Sequence, residues 1–81
     1  MEKMEIDQIK QRLDTSFHPY RCVTEEQDYK DKIRVHILDR NGNSIIHIKR
    51  KPIAEIDNES SLSFFIEQLK ETIRGKGHPI A

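Results

Sequence analysis

The sequence predicts an α+β domain in two layers, ordered helix, strand, strand, strand, helix. The three strands form one antiparallel sheet, and both helices pack on one face of it. Three observations carry this expectation. Apolar residues recur at helical spacing near each end of the chain. Between them runs a stretch that alternates apolar and polar residues, as a half-buried strand does. The pair Asn41-Gly42 splits that stretch, and such a pair marks a tight hairpin.

Ile6, Ile9, Leu13 and Phe17 follow at spacings of three, four and four, which is one stripe of a helix over residues 4–16. Pro19 cannot continue that helix, and His18 before it is biased to extended backbone. Tyr20 to Glu25 holds aromatic and β-branched residues and reads as a strand. Gln27-Asp28-Tyr29-Lys30 is a polar link. Lys32 to Ile37 alternates strictly and makes the second strand. Ser44 to Lys49 is the return strand, and Pro52 ends its regular pairing. Ile53, Ala54 and Ile56 lead into Asp57-Asn58, either of which can cap a helix. Leu62, Phe65, Ile66, Leu69 and Ile73 then form a second stripe, with Lys70 and Arg74 in the last turns where cations suit the helix dipole. Gly75 is the expected stop. The domain is therefore expected over residues 1–75, with residues 76–81 a flexible tail.

The chain has 81 residues, enough for one domain with a small core. It is 35% hydrophobic and 35% charged, too patterned for a disordered chain. No apolar run approaches the roughly 18 residues that span a bilayer, and the opening Met1-Glu2-Lys3-Met4-Glu5 lacks the apolar stretch of a signal peptide. A cytoplasmic protein that meets no membrane is expected. Fourteen cations balance fourteen carboxylates, whereas dedicated nucleic-acid binders are usually basic. The single cysteine, Cys22, has no internal partner and reads as a small buried hydrophobe.

Taking Asn41-Gly42 as a two-residue type I′ turn fixes a register. Arg40 then faces Asn43, Ile37 faces Ile46, and Val35 faces Ile48, so one side of the hairpin is apolar and is the side for the helices. The other side carries Lys32, Arg34, His36 and Leu38 against Lys51, Lys49, His47 and Ile45. His36 lies opposite His47, and Arg34 opposite Lys49. Like charges so placed repel mildly, and an imidazole in that company is expected to titrate low. Three uses of this face are open. It is a solvated surface compensated by Glu25 or Glu26, with lysines discouraging strand addition. Or it binds anions or nucleic acid, although it offers none of the stacking aromatics that sheet-based binders use. Or it receives a protein or a second copy, with Leu38 and Ile45 as its apolar end. His36 and His47 could share a metal ion, but no third ligand is evident, so no metal site is expected.

No catalytic constellation stands out, and no cofactor is expected. There is no phosphate-binding glycine loop, since Gly75 and Gly77 fall in the tail. Ser60, Ser61 and Ser63 beside Glu59 suit a helix start better than a nucleophile. Glu67 and Glu71, flanked by Lys70 and Arg74, read as a solvated helix face. A non-enzyme is expected.

The element order is also that of double-stranded-RNA-binding domains, but those open their last helix with a basic cluster where this chain has Asp57-Asn58-Glu59. A nearer likeness rests on "SFHPYRC" (Ser16 to Cys22), where a phenylalanine ending the first helix precedes Pro-x-x-Cys. It continues through the alternating strand ending in Asp39, the turn at Gly42, the lead Ile53, Ile56, Asn58, and the helix "FFIEQLKETI". Over residues 6–74 the chain resembles a domain-of-unknown-function family of short bacterial proteins, mostly from pseudomonads. Thr24 stands where that family often has a second cysteine, and Ser60-Ser61 where it tends to have Arg-Ala. The resemblance implies an accessory or regulatory role and supplies no catalytic residues.

Together these readings predict a small non-catalytic interaction module. It would bind a macromolecular partner, itself included, through its exposed sheet face or edge. The alternative is a nucleic-acid-associated regulator using Lys32, Arg34, His36, His47, Lys49 and Lys51.

Overall fold

The computed structural model describes residues 4–27 and 31–80. Residues 28–30 of the expected polar link lie outside them, and Gln27 closes the first strand. Helix α1 spans Ile6–Ser16. It begins two residues later than predicted, at the first residue of the apolar stripe, because Glu5 is extended and its N–H donates to Gln8 Oε1 at 2.9 Å, a helix-start contact. Met4 is held elsewhere, its N–H donating to the Asp57 carbonyl at 2.7 Å. The peptide between His18 and Pro19 is cis. Strands β1 (Arg21–Gln27), β2 (Lys32–Leu38) and β3 (Ser44–Pro52) form one antiparallel sheet in the order β1-β2-β3. A 3-10 turn, Ile53–Glu55, leads to helix α2, Glu59–Gly75.

The predicted fold class and element order are those observed. α1 lies against β1, α2 against β3, and the helices touch each other. Ile9 and Leu13 of α1 and Phe17 just after it meet Ile33, Val35 and Ile37 of β2 and the stripe Leu62, Phe65, Ile66, Leu69 and Ile73 of α2 in one core. Each aliphatic side chain so buried contributes roughly 1.5–3 kcal/mol relative to exposure. Asn58, one of the two candidate caps, holds the start of α2, its Oδ1 accepting from the Ser61 N–H at 2.9 Å. Cys22 is buried as expected, on the face opposite Arg21.

The hairpin differs from the predicted two-residue turn. The Gly42 N–H donates to the Asp39 carbonyl at 3.1 Å, and the Asp39 N–H to the Asn43 carbonyl at 2.8 Å. Arg40, Asn41 and Gly42 therefore make a three-residue loop, a type I turn closed by Gly42 at φ +85°. Asp39 decides the matter. Its Oδ1 accepts from the N–H groups of Asn41 (2.8 Å) and Asn43 (2.9 Å), a side-chain turn that competes with type I′. Leu38 then pairs with Ser44 while Ile37 pairs with Ile46, so Ile45 is an extra residue in a β-bulge. The bulge restores the predicted register beyond it, with His36 against His47 and Val35 against Ile48.

A second irregularity follows. Ile33 pairs with Lys51 and Lys32 with Pro52, so Lys49 and Arg50 together face the single Arg34.

The C-terminal end also departs from expectation. Gly75 is the last residue of α2 rather than its stop, and the reversal comes at Gly77, at φ +88°. The Gly77 N–H donates to the Arg74 carbonyl (3.0 Å) and the His78 N–H to the Ile73 carbonyl (3.1 Å), which is a Schellman closure. The expected flexible tail is docked over residues 76–80. Lys76 Nζ donates to the Ile45 carbonyl at 2.7 Å, Tyr20 Oη donates to the Pro79 carbonyl at 2.7 Å, and Ile80 packs against the core. Residues 76–80 gave no apolar pattern to announce this, because two of the anchors are backbone carbonyls and the third is a single isoleucine.

Candidate functional site: the open face of the sheet

Both helices lie on the core side, so the opposite face of the sheet is uncovered. Strand alternation brings Arg21, Val23 and Glu25 of β1, Lys32, Arg34, His36 and Leu38 of β2, and His47 and Lys49 of β3 to it. Across its middle, Val23 pairs with His36, and His36 with His47. The two imidazole rings sit 4.6 Å apart between centroids, tilted by 32°. His36 Nε2 is 2.9 Å from Ser44 Oγ. Leu38 is half-buried, and Val23 is 38% exposed, a high value for a valine in a strand.

Charge on this face is partly compensated. Glu25 lies opposite Arg34, and their carboxylate and guanidinium approach to 3.6 Å. Glu26, the other expected counter-charge, points to the helix side and pairs with Lys10 at 3.6 Å. The His47 imidazole titrates below its ordinary value. Crowding strips water from its charged form, and the charges of His36, Arg34 and Lys49 add repulsion.

Two predicted members leave the face. Ile45 is 4% exposed and belongs to the core, because the bulge turns it inward beside Ile46. Lys51 is opposite Ile33, not Lys32, so it stands on the helix side. There its amine lies 5.1 Å from the centre of the Phe65 ring and 3.1 Å from Glu55 Oε1. The remaining predicted members, Lys32, Arg34, His36, Leu38, His47 and Lys49, share the face. Val23 joins them and was missed. Its outward direction follows from the β1–β2 register, which no tight turn in the sequence specifies.

Other features lie elsewhere. At one end of the sheet an open groove of about 390 Å³ lies between Tyr20, Asp39, Arg40 and His78. Its carboxylate is already committed: the two loop N–H donors hold Asp39 below the usual carboxylate range, with a smaller contribution from the nearby His78. Phe64 of α2 is 66% exposed beside Glu67 and Glu71. Burial, aided by the charge of Asp14, pushes the Cys22 thiol up to about 12, far from a reactive thiolate. Among the described residues no cluster of three or more His, Cys, Asp or Glu could hold a metal ion, and no helix is long and apolar enough to cross a membrane. Compared with protein-family models, curated proteins and solved structures, the chain matches none.

Proposed function

We propose that this chain is a small non-catalytic interaction module whose open sheet face receives a protein partner. One observation carries the reading. An uncovered face sets Val23, His36 and His47 across its middle and Leu38 at one end, with Arg21, Lys32 and Lys49 around them. Such a layout fits a partner with an apolar centre and carboxylates around it, since interfaces combine a drier core with a polar rim.

A nucleic-acid-associated regulator is the second reading, favoured by the cations and imidazoles that share the face. Against it, Glu25 offsets Arg34, Lys51 stands elsewhere, and among the described residues the face offers no Phe, Tyr or Trp ring for stacking. Affinity capture with the wild-type chain and with a Val23→Glu, His47→Glu variant tests the first reading. Proteins held by the wild type should be lost from the variant, and capture indifferent to both substitutions refutes it. A single-stranded oligonucleotide titrated at low salt, followed by NMR, should leave the amides of the face unmoved. Shifts there that vanish as salt rises would establish the second reading instead.

A further inference from the structure

The two edges of the sheet are built differently. β3 carries two bulges, the run Lys49-Arg50-Lys51 and a terminal Pro52, and Lys76 covers the Ile45 carbonyl. These are the usual devices against strand addition. β1 has none of them. Its register with β2 is unbroken from Arg21 against Leu38 to Gln27 against Lys32, and it contains no proline and no lysine. Among the described residues, no loop or side chain hydrogen-bonds the backbone of Arg21 to Glu26 on its outer edge.

We infer that the free edge of β1 pairs antiparallel with β1 of a second copy, about a two-fold axis at Val23. Charge selects both the occupant and the register. With Val23 opposite Val23 of the second copy, Cys22 meets Thr24 and Arg21 meets Glu25, and symmetry makes each of these pairs twice. Centring on Cys22 sets Arg21 against Val23, and centring on Thr24 sets Val23 against Glu25. Centring on Glu25 opposes two carboxylates, which is unfavourable. Only the Val23 register matches opposite charges directly and places the exposed valines against each other.

An axis perpendicular to the sheet keeps all four helices on one side. The open face then becomes continuous over six strands, with Val23 and His36 of both copies in one central row between the His47 residues. This rests on the reading of the sheet as the interaction element and extends it, making the receiving face two-fold symmetric. Strand pairing over one short edge buries less than a standard interface of about 1,200–2,000 Å², so the dimer is a concentration-dependent one.

Sedimentation equilibrium from about 10 μM to about 1 mM tests it. The expected result is a shift from monomer to dimer mass across that range. Arg21→Glu and Glu25→Arg each create like-charge pairs and should weaken dimerisation about tenfold, while the double swap restores it. Both side chains are exposed, so the variants retain the fold. A monomer at every concentration overturns the inference, as does a dimer that neither reversal weakens. Neither outcome touches the face itself, because capture with His47→Glu alone, a change on β3 away from the β1 edge, decides that separately.

Discussion

Gly77→Ala and Gly75→Ala are the same chemical change two positions apart, and they should move stability in opposite directions. A methyl group added at either glycine would meet nothing within 4 Å, so steric contact is equal and only the backbone differs. Gly77 stands at φ +88°, where an L side chain costs roughly 1–2 kcal/mol. Gly75 is helical, and alanine there gains up to about 1 kcal/mol by restricting the unfolded chain. For a domain of this size about 1 kcal/mol moves the melting temperature by roughly 4–8 °C. Gly77→Ala should therefore melt roughly 5–15 °C lower, and Gly75→Ala a few degrees higher, in thermal unfolding followed by circular dichroism. Gly77→Asn should recover part of the loss, since asparagine tolerates left-handed backbone. Equal losses at both positions, or a larger loss at Gly75, would mean that the helix stops at Gly75 and that the closure through Ile73 and Arg74 is wrong.

Ile45→Ala should cost about 2–4 kcal/mol in urea unfolding, and Leu38→Ala about 1 kcal/mol or less; the reverse ranking would return Ile45 to the open face. By NMR titration His47 should take up its proton below the ordinary 6.5, and His36→Gln should raise that value by removing one repelling charge. As pH falls through 6.5 the unfolded chain protonates first, so this site's contribution to stability declines from there down to the folded value. An unshifted titration that ignores His36→Gln would refute the ring pairing. Cys22 should react with a disulfide reagent near neutral pH only on unfolding. Because its thiol is raised, stability should fall as pH climbs from 9.0 toward about 12, and Cys22→Ala should flatten that decline. Rapid labelling of the native chain would contradict its burial.

Much of this was legible in the chain because it depends on local periodicity. The stripes of α1 and α2 contain the residues that meet in the core, and the alternation of β2 assigns its two sides without error. His36 meets His47 as expected, but by a different route. The loop is one residue longer than predicted, and the bulge at Ile45 takes up the difference. A side chain outside the Asn41-Gly42 pair, Asp39, chose the turn, so the dipeptide alone misassigned Ile45. Val23 stayed hidden because its direction depends on the β1–β2 register, which no turn dipeptide in the sequence announces.

The amino-acid pattern by itself determined which side chains are apolar at period two and at period 3.6, and hence the layers, the element order and the face left in water. Tertiary structure alone decided where the register slips, that Ile45 and Lys51 both stand on the core side, and how residues 76–80 dock. The physical reason is range. Periodicity acts between neighbours a turn apart, whereas bulges and tail anchors form only where distant backbone groups, such as the Ile45 and Pro79 carbonyls, find donors from Lys76 and Tyr20.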